Sequence, residues 1–282
     1  MPIRPVPGRR SRILQGGYEP MTNMSIALVS TVVFLVVVTL AIVNAPGWET
    51  VKQSFFNASE ARDAFPLVAS AFLLNVKMFL VAEVFILVFA LLIAILRGLP
   101  GPVFFPLRAL AIVYTDLFRG VPTILVVYLL GFGMPGLNLT GIPTSPVFWG
   151  TVSLVLVYTA YVSEVYRAGI ESVHPSQEAA ARSLGLTRAQ TLRFVIVPQA
   201  VRRVIPPLLN DFIGLQKDTA LVSVLGSVDA LQQANINSAA DFNYTPYVVA
   251  ALFFIALTIP LARFTDWLIL RERQRRQAGG VA

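Results

Sequence analysis

Charged and amide side chains recur inside long apolar runs of this chain, and they are the residues able to do chemistry there. Lys217 and Asp218 adjoin in one such run, and Asn210 and Asp211 each precede them by one heptad. On a helix that spacing makes two polar stripes about 100° apart. A charge at bilayer depth costs about 3 kcal/mol or more unless it is paired or wet. A helix so marked must therefore line a cavity or a subunit interface. Lys217 and Asp218 could meet the two charges of a zwitterion, gate beside it, or join an ion-pair network between helices. Asp116 and Arg119 are spaced i,i+3, as are Glu164 and Arg167, so each pair could close locally. Arg119 has a gating or structural character, because Gly120 and Pro122 break regular helix beside it. Asn75 is a candidate pathway residue. Glu83 is a lone acid in an apolar stretch and calls for a cation such as Lys77 or Lys217. His174 is the one histidine and there is no cysteine, so no metal site can be assembled from these ligand types. No Ser/His/Asp arrangement stands out either, and no catalytic centre is expected.

The elements that position these residues follow from composition. Of 282 residues 56% are hydrophobic and only 13% charged, against about 25% charged in soluble domains. Part of the solvent must be lipid, so the class is all-α and integral to a membrane. Runs long enough to cross about 30 Å of hydrocarbon lie near 26–43, 67–96, 107–132, 147–169, 207–228 and 245–270. Arginines gather in the N-terminal tail, after the second run, after the fourth and in the C-terminal tail. The connection 133–146 has no Lys or Arg, and neither has 230–244. About six spans, with both termini in the cytoplasm, put every basic cluster on one side. The net charge of +7 is thus topological, and no nucleic-acid face is expected. The first run is longer than a usual signal core and no A-x-A site follows it, so a span is expected, not a cleaved leader. The organisation reads as a basic, disordered cytoplasmic tail (1–24), a first span (25–44), an external loop (45–66), a core (67–270) with a long cytoplasmic loop (171–206), and a second basic tail (271–282). No internal repeat is evident, which disfavours an inverted-repeat transporter.

The long loop is punctuated as two short helices. Ser176 reads as an N-cap and Glu178 sits in the first turn, where the helix dipole favours an acid. Gly185 supplies a left-handed end. Thr187 and Gln190 form a capping box for the second helix, and Pro198 marks where that helix ends or bends. Ala179, Ala180 and Ala181 leave a low face suited to a partner's groove, although alanine is also simply the best helix former.

Glu178-Ala-Ala-Ala-Arg-Ser-Leu-Gly185, followed by Val195-Ile-Val-Pro-Gln199, resembles the cytoplasmic EAA loop of ATP-binding cassette import permeases. Tyr161–Val173 is similar to the segment that leads into this loop in the polar-amino-acid branch. Pro206–Asn210 and Leu215–Leu221 resemble that branch's fifth span, and Arg119-Gly-Val-Pro122 its R-G-T-P stretch. The family glutamate, counted back from Gly185, falls at Ala179; here the carboxylate stands at Glu178, about 100° around the helix.

The resemblance implies a MetI-like, type I importer core of five helices plus an extra N-terminal helix, in a prokaryotic plasma (inner) membrane. It implies that Ser176, Glu178, Ala180, Ala181, Arg182, Gly185 and Leu186 dock on a separate ATPase subunit through a coupling helix. ATP and Mg would be used by that partner and no cofactor bound by this chain, in which no G-x-x-x-x-G-K-[ST] stretch occurs. Further implied partners are an extracytoplasmic solute-binding protein and a second permease subunit. Asn75, Asp116, Arg119, Glu164, Asn210, Lys217 and Asp218 are the candidates for a polar-amino-acid pathway or gate. The competing expectation is an ion- or proton-coupled secondary transporter, with Glu83, Asp116, Lys217 and Asp218 as relay groups. It would leave Ser176–Pro198 unexplained. A membrane-embedded enzyme is a third and weaker expectation.

Overall fold

A computed structural model describes residues 20–279, and it is helical, with no strand among the described residues. The first expected tail lies outside this range up to residue 19. The chain divides into two units, the second beginning at Ser54.

The first unit holds α1 (Pro20–Val43) and most of α2 (Trp48–Phe55). α1 is apolar on every side, and its residues from Met24 to Val43 are all exposed, as in a helix whose solvent is lipid. Its hydroxyls are silenced locally: Ser30 and Thr31 both donate to the Ala27 carbonyl. The stretch 45–66, expected as loop, is largely helical, because it contains α2 and the first two turns of α3.

The second unit is built on α3 (Ala58–Arg97) and α6 (Pro146–Glu171), which pack along their lengths. Ala82, Ile86, Ala90 and Ala94 repeat every fourth residue on the buried face of α3, so the backbones approach closely. Met78, Phe79 and Ile86 join Leu154, Val157, Leu215 and Val222 in one apolar cluster. A second cluster gathers Val68 and Phe72 of α3 with Ala234, Val249 and Ala250.

The run expected at 107–132 is two helices, α4 (Phe105–Gly120) and α5 (Thr123–Gly136), bent by 103° to one another. Pro122 is the cause. It disfavours helical geometry at the preceding residue, and Val121 is extended (φ −101°, ψ 131°). The run expected at 207–228 is also revised. Helix α9 spans Val197–Asp218, then a 3₁₀ turn covers Thr219–Leu225 and ends at Gly226, whose φ is +80°. α10 (Ala230–Asp241) and α11 (Thr245–Gly279) complete the described residues, and α11 covers 271–279 of the stretch expected as a second tail, the rest of which lies outside the described residues. Four helical stretches are long and apolar enough to cross a membrane, and the bent α4–α5 pair makes up to five. α9 fails that measure because Arg202, Arg203, Asp211, Lys217 and Asp218 all stand on it. It is held by protein on one side instead, packing against α6 and α11.

Three glycines set the closest approaches. A Cβ on Gly150 would overlap Val222, one on Gly131 would overlap Leu225, and one on Gly169 would overlap Val204. Gly150→Ala should therefore destabilise the protein by about 1–3 kcal/mol, the usual cost of overpacking. Thermal unfolding in detergent would show it as a lower Tm, and an unchanged Tm would mean that Val222 moves freely.

Candidate functional site

The loop between α6 and α9 forms the helices expected of it. α7 (Pro175–Ser183) is capped at its N-terminus by His174, not Ser176. Pro175 takes the first helical position, which moves the cap back to His174, and the His174 Nδ1 accepts from the Ser176 backbone N–H at 3.2 Å. At the other end Gly185 has φ +83°, Leu186 N–H donates to Ala181 O at 3.2 Å, and Gly185 N–H donates to Arg182 O at 3.0 Å. These two bonds make a Schellman closure. Thr187 and Gln190 cap α8 (Arg188–Thr191) reciprocally. The helix does not end there. A π turn over Leu192–Ile196 carries it into α9, with Pro198 in the first turn, where a missing N–H costs little.

Glu178, Ala180 and Arg182 are exposed on α7, and Leu186 is half-buried. Ala181 is the exception among the docking candidates: it is buried within the chain, so it seats α7 and offers no contact surface. Leu184 is 83% exposed at the helix end, an apolar knob that sequence reasoning passed over. Its signal was an apolar residue immediately before a helix-closing glycine.

α9 is latched to α6 just above the loop. Val204 fills the space at Gly169, and Arg203 donates to the Ser172 carbonyl. Nearby, Glu164 is bridged by two guanidinium groups. Arg97 of α3 reaches it at 2.6 Å, and Arg167 pairs with it from one turn below and also with Glu171. The expected Glu164–Arg167 pair is thus present, with Arg97 as a third member that sequence spacing could not reveal.

These groups border a cavity of about 400 Å³ lined by Arg119, Tyr161, Glu164, Arg203, Pro207 and Asp211, among others. Arg119 lies 6.0 Å over the Tyr161 ring. The local Asp116–Arg119 pair does not form among the described residues: Asp116 is exposed and does not line this cavity. Asn210 is likewise exposed and outside the lining, while its neighbour Asp211 faces in. One Asp211 carboxylate oxygen is buried with no hydrogen-bond partner.

Lys217 and Asp218 separate. Lys217 is exposed, whereas Asp218 accepts from the Tyr158 hydroxyl at 2.9 Å. Asn75 is fully buried and used internally. It donates to Asp229 at 2.9 Å and to Thr219 at 3.2 Å, and accepts from the Ala230 N–H at 3.0 Å. It ties α3 to the start of α10, which leaves little capacity for a passing substrate. Asp229, the N-cap of α10, was missed; an acid just ahead of Ala230-Leu-Gln was the available sign. Glu83 finds no cation among the described residues. It lies within electrostatic reach of Asp211 and Tyr166 instead. No group of metal-ligating side chains occurs among the described residues.

Apolar helices beside an open cavity bordered by Arg119, Glu164, Arg203 and Asp211, with an exposed loop helix at one end, mark a multi-pass membrane protein. Residues 90–274 match the family described as the inner membrane component of binding-protein-dependent transport systems. The chain is 38% identical over 169 residues to a probable glutamine ABC transporter permease of Bacillus subtilis, covering 59% of this chain and 76% of the relative. It is 30% identical to an arginine transport system permease of the same organism, over 70% of this chain and 88% of the relative. Among solved structures, an amino acid ABC transporter with histidines aligns at TM-score 0.66 and 33% identity, over 74% of this chain and 94% of that one. A methionine ABC transporter in an inward-facing conformation aligns at TM-score 0.60 and 17% identity, over 73% and 96%. That last likeness concerns the fold alone. The chain belongs to the family of inner membrane components of binding-protein-dependent transport systems. It is a transport component, not an enzyme, and membership decides against the secondary-transporter expectation.

The Asn75 network predicts a stability effect. Asn75→Leu removes two donors and one acceptor from buried partners, and should cost about 2–4 kcal/mol. A detergent melting curve reads it, and a variant as stable as the parent would show the network to be incidental.

Proposed function

We propose that this chain is the membrane-spanning subunit of an ATP-driven importer of polar amino acids. It works with separate ATPase subunits that use ATP and Mg, an extracytoplasmic solute-binding protein and a second permease subunit, in the prokaryotic plasma (inner) membrane. Six crossings, α9 and its 3₁₀ turn included, put both termini and the loop on the cytoplasmic side, in line with the basic clusters.

The observation that carries this reading is the loop helix itself. α7 is closed at both ends, exposes Glu178, Ala180 and Arg182 with Leu184 just beyond its last turn, and packs against α8 and the π turn, which run on into α9. A push on α7 is therefore delivered to α9, which borders the cavity at Pro207 and Asp211. Docked ATPase subunits that close on ATP would move α7 as a rigid body and with it the cavity wall. The cavity offers Arg119 for a carboxylate and Asp211 for an ammonium group. Relatives bearing glutamine and arginine in their names support an amino-acid cargo.

Pull-down of the tagged chain from its native membrane in mild detergent should recover a P-loop ATPase. Leu184→Asp and Gly185→Asp, which add a charge at the knob and a Cβ at a left-handed residue, should each reduce that recovery and uptake by at least about tenfold, some 1.4 kcal/mol. Both variants should still insert. Normal recovery and uptake by both would remove α7 as the docking element.

A further inference from the structure

A second cavity, of about 440 Å³, lies at the other end of α9 and has no part in the site described above. Tyr128 of α5, Ser223 and Gly226 of the 3₁₀ turn, Gln232 and Asn235 of α10 and Tyr247 of α11 line it. α9 is 22 residues long, about 33 Å at 1.5 Å per residue. The first cavity takes its lining from the loop end of that length (Arg203, Pro207, Asp211), and the second from the residues beyond Asp218. Between them the packing is dense. Tyr158 bonds Asp218, Val222 fills the space at Gly150, and Leu225 fills that at Gly131. The two cavities share no lining residue, and close-packed side chains lie between them.

Their chemistry differs. The first presents Arg119, Glu164, Arg203 and Asp211, and the second has no Asp, Glu, Lys or Arg in its lining. Hydroxyl and amide groups both donate and accept hydrogen bonds. Tyr247 donates to Asn235 Oδ1 at 3.0 Å, which fixes the direction of that amide. Gly226, in the left-handed region, leaves the wall open where a side chain would be strained. A cavity of this size is within the range of small-molecule sites. A charged side chain placed there would find no counter-ion, whereas a carboxamide or hydroxyl would find both donors and acceptors.

We propose that the cavity formed by Tyr128, Ser223, Gln232, Asn235 and Tyr247 is a recognition site for amino acids with neutral, hydrogen-bonding side chains, a carboxamide or a hydroxyl. The side chain enters the cavity, and the α-ammonium and α-carboxylate stay at its open mouth. This rests on the reading of the chain as an amino-acid permease and adds selection by the permease itself.

The chain has no cysteine, so single cysteines report locally. Gln232→Cys and, separately, Asn235→Cys are placed in the assembled transporter in proteoliposomes and labelled with a maleimide. L-Glutamine at ten times its Kd should slow labelling of both by about tenfold, while L-arginine and L-glutamate leave the rate unchanged. Val103→Cys, on the exposed connection between α3 and α4, should be unaffected by any of them. Gln232→Glu, combined with Asn235→Cys, should transfer protection to L-arginine. Two results overturn the proposal in a preparation that still takes up amino acid on ATP: no protection by L-glutamine, L-asparagine or L-serine, or equal protection by L-arginine. Protection by the solute-binding protein alone would make the cavity a protein-docking socket and also overturn it. Absence of ATP-dependent amino-acid uptake by the parent complex is a different failure: it removes the permease reading, and this proposal with it.

Discussion

The contact between α6 and α9 is the constraint on which the rest depends. Gly169 lets Val204 in, and Arg203 closes the joint on the Ser172 carbonyl. Without that joint α9, with its Arg, Asp and Lys residues, would lose the largest of its protein faces and keep only its contacts with α11 and α3 to hold it at bilayer depth. With it, one face of α9 is packed and another borders the charged cavity. The loop helices inherit their position from the same joint, because α8, the π turn and α9 follow one another without an intervening coil.

Polar groups elsewhere obey the same rule. Glu164 is met by Arg97 and Arg167, Asp218 by Tyr158, and Asp229 by Asn75 and the N-terminus of α10. Lipid offers no substitute partner, so these acids have each recruited one from another helix or a neighbouring turn, and Glu83 is left without a cation among the described residues. Asp211 keeps one buried oxygen without a partner, and it does so on the cavity wall. That exception is where a moving, charged cargo would be useful.

The sequence announced the helices and the loop well, because lipid exposure and helix capping are local properties. Gly185, the Thr187–Gln190 box and the break at Pro122 are written in residue type and spacing. What it could not announce was which face each helix turns inward. Ala181 read as a docking residue and Asn75 as a pathway residue, and both are packed inside, while two residues that drew no reading matter: Leu184 is exposed and Tyr158 holds Asp218. Pairings across long separations, such as Arg97 with Glu164, are invisible to periodicity. The short i,i+3 rule was right for Glu164 and Arg167 and failed for Asp116 and Arg119, since Arg119 turns to Tyr161.

The account makes one central claim, that movement through this chain is driven by ATP acting on the loop side. Uptake of a labelled amino acid into proteoliposomes holding the purified complex and its solute-binding protein tests it most directly. The account predicts uptake that requires ATP on the side of α7 and persists when ion gradients are collapsed. Uptake by this chain alone, following an imposed proton or sodium gradient and indifferent to ATP, would contradict it.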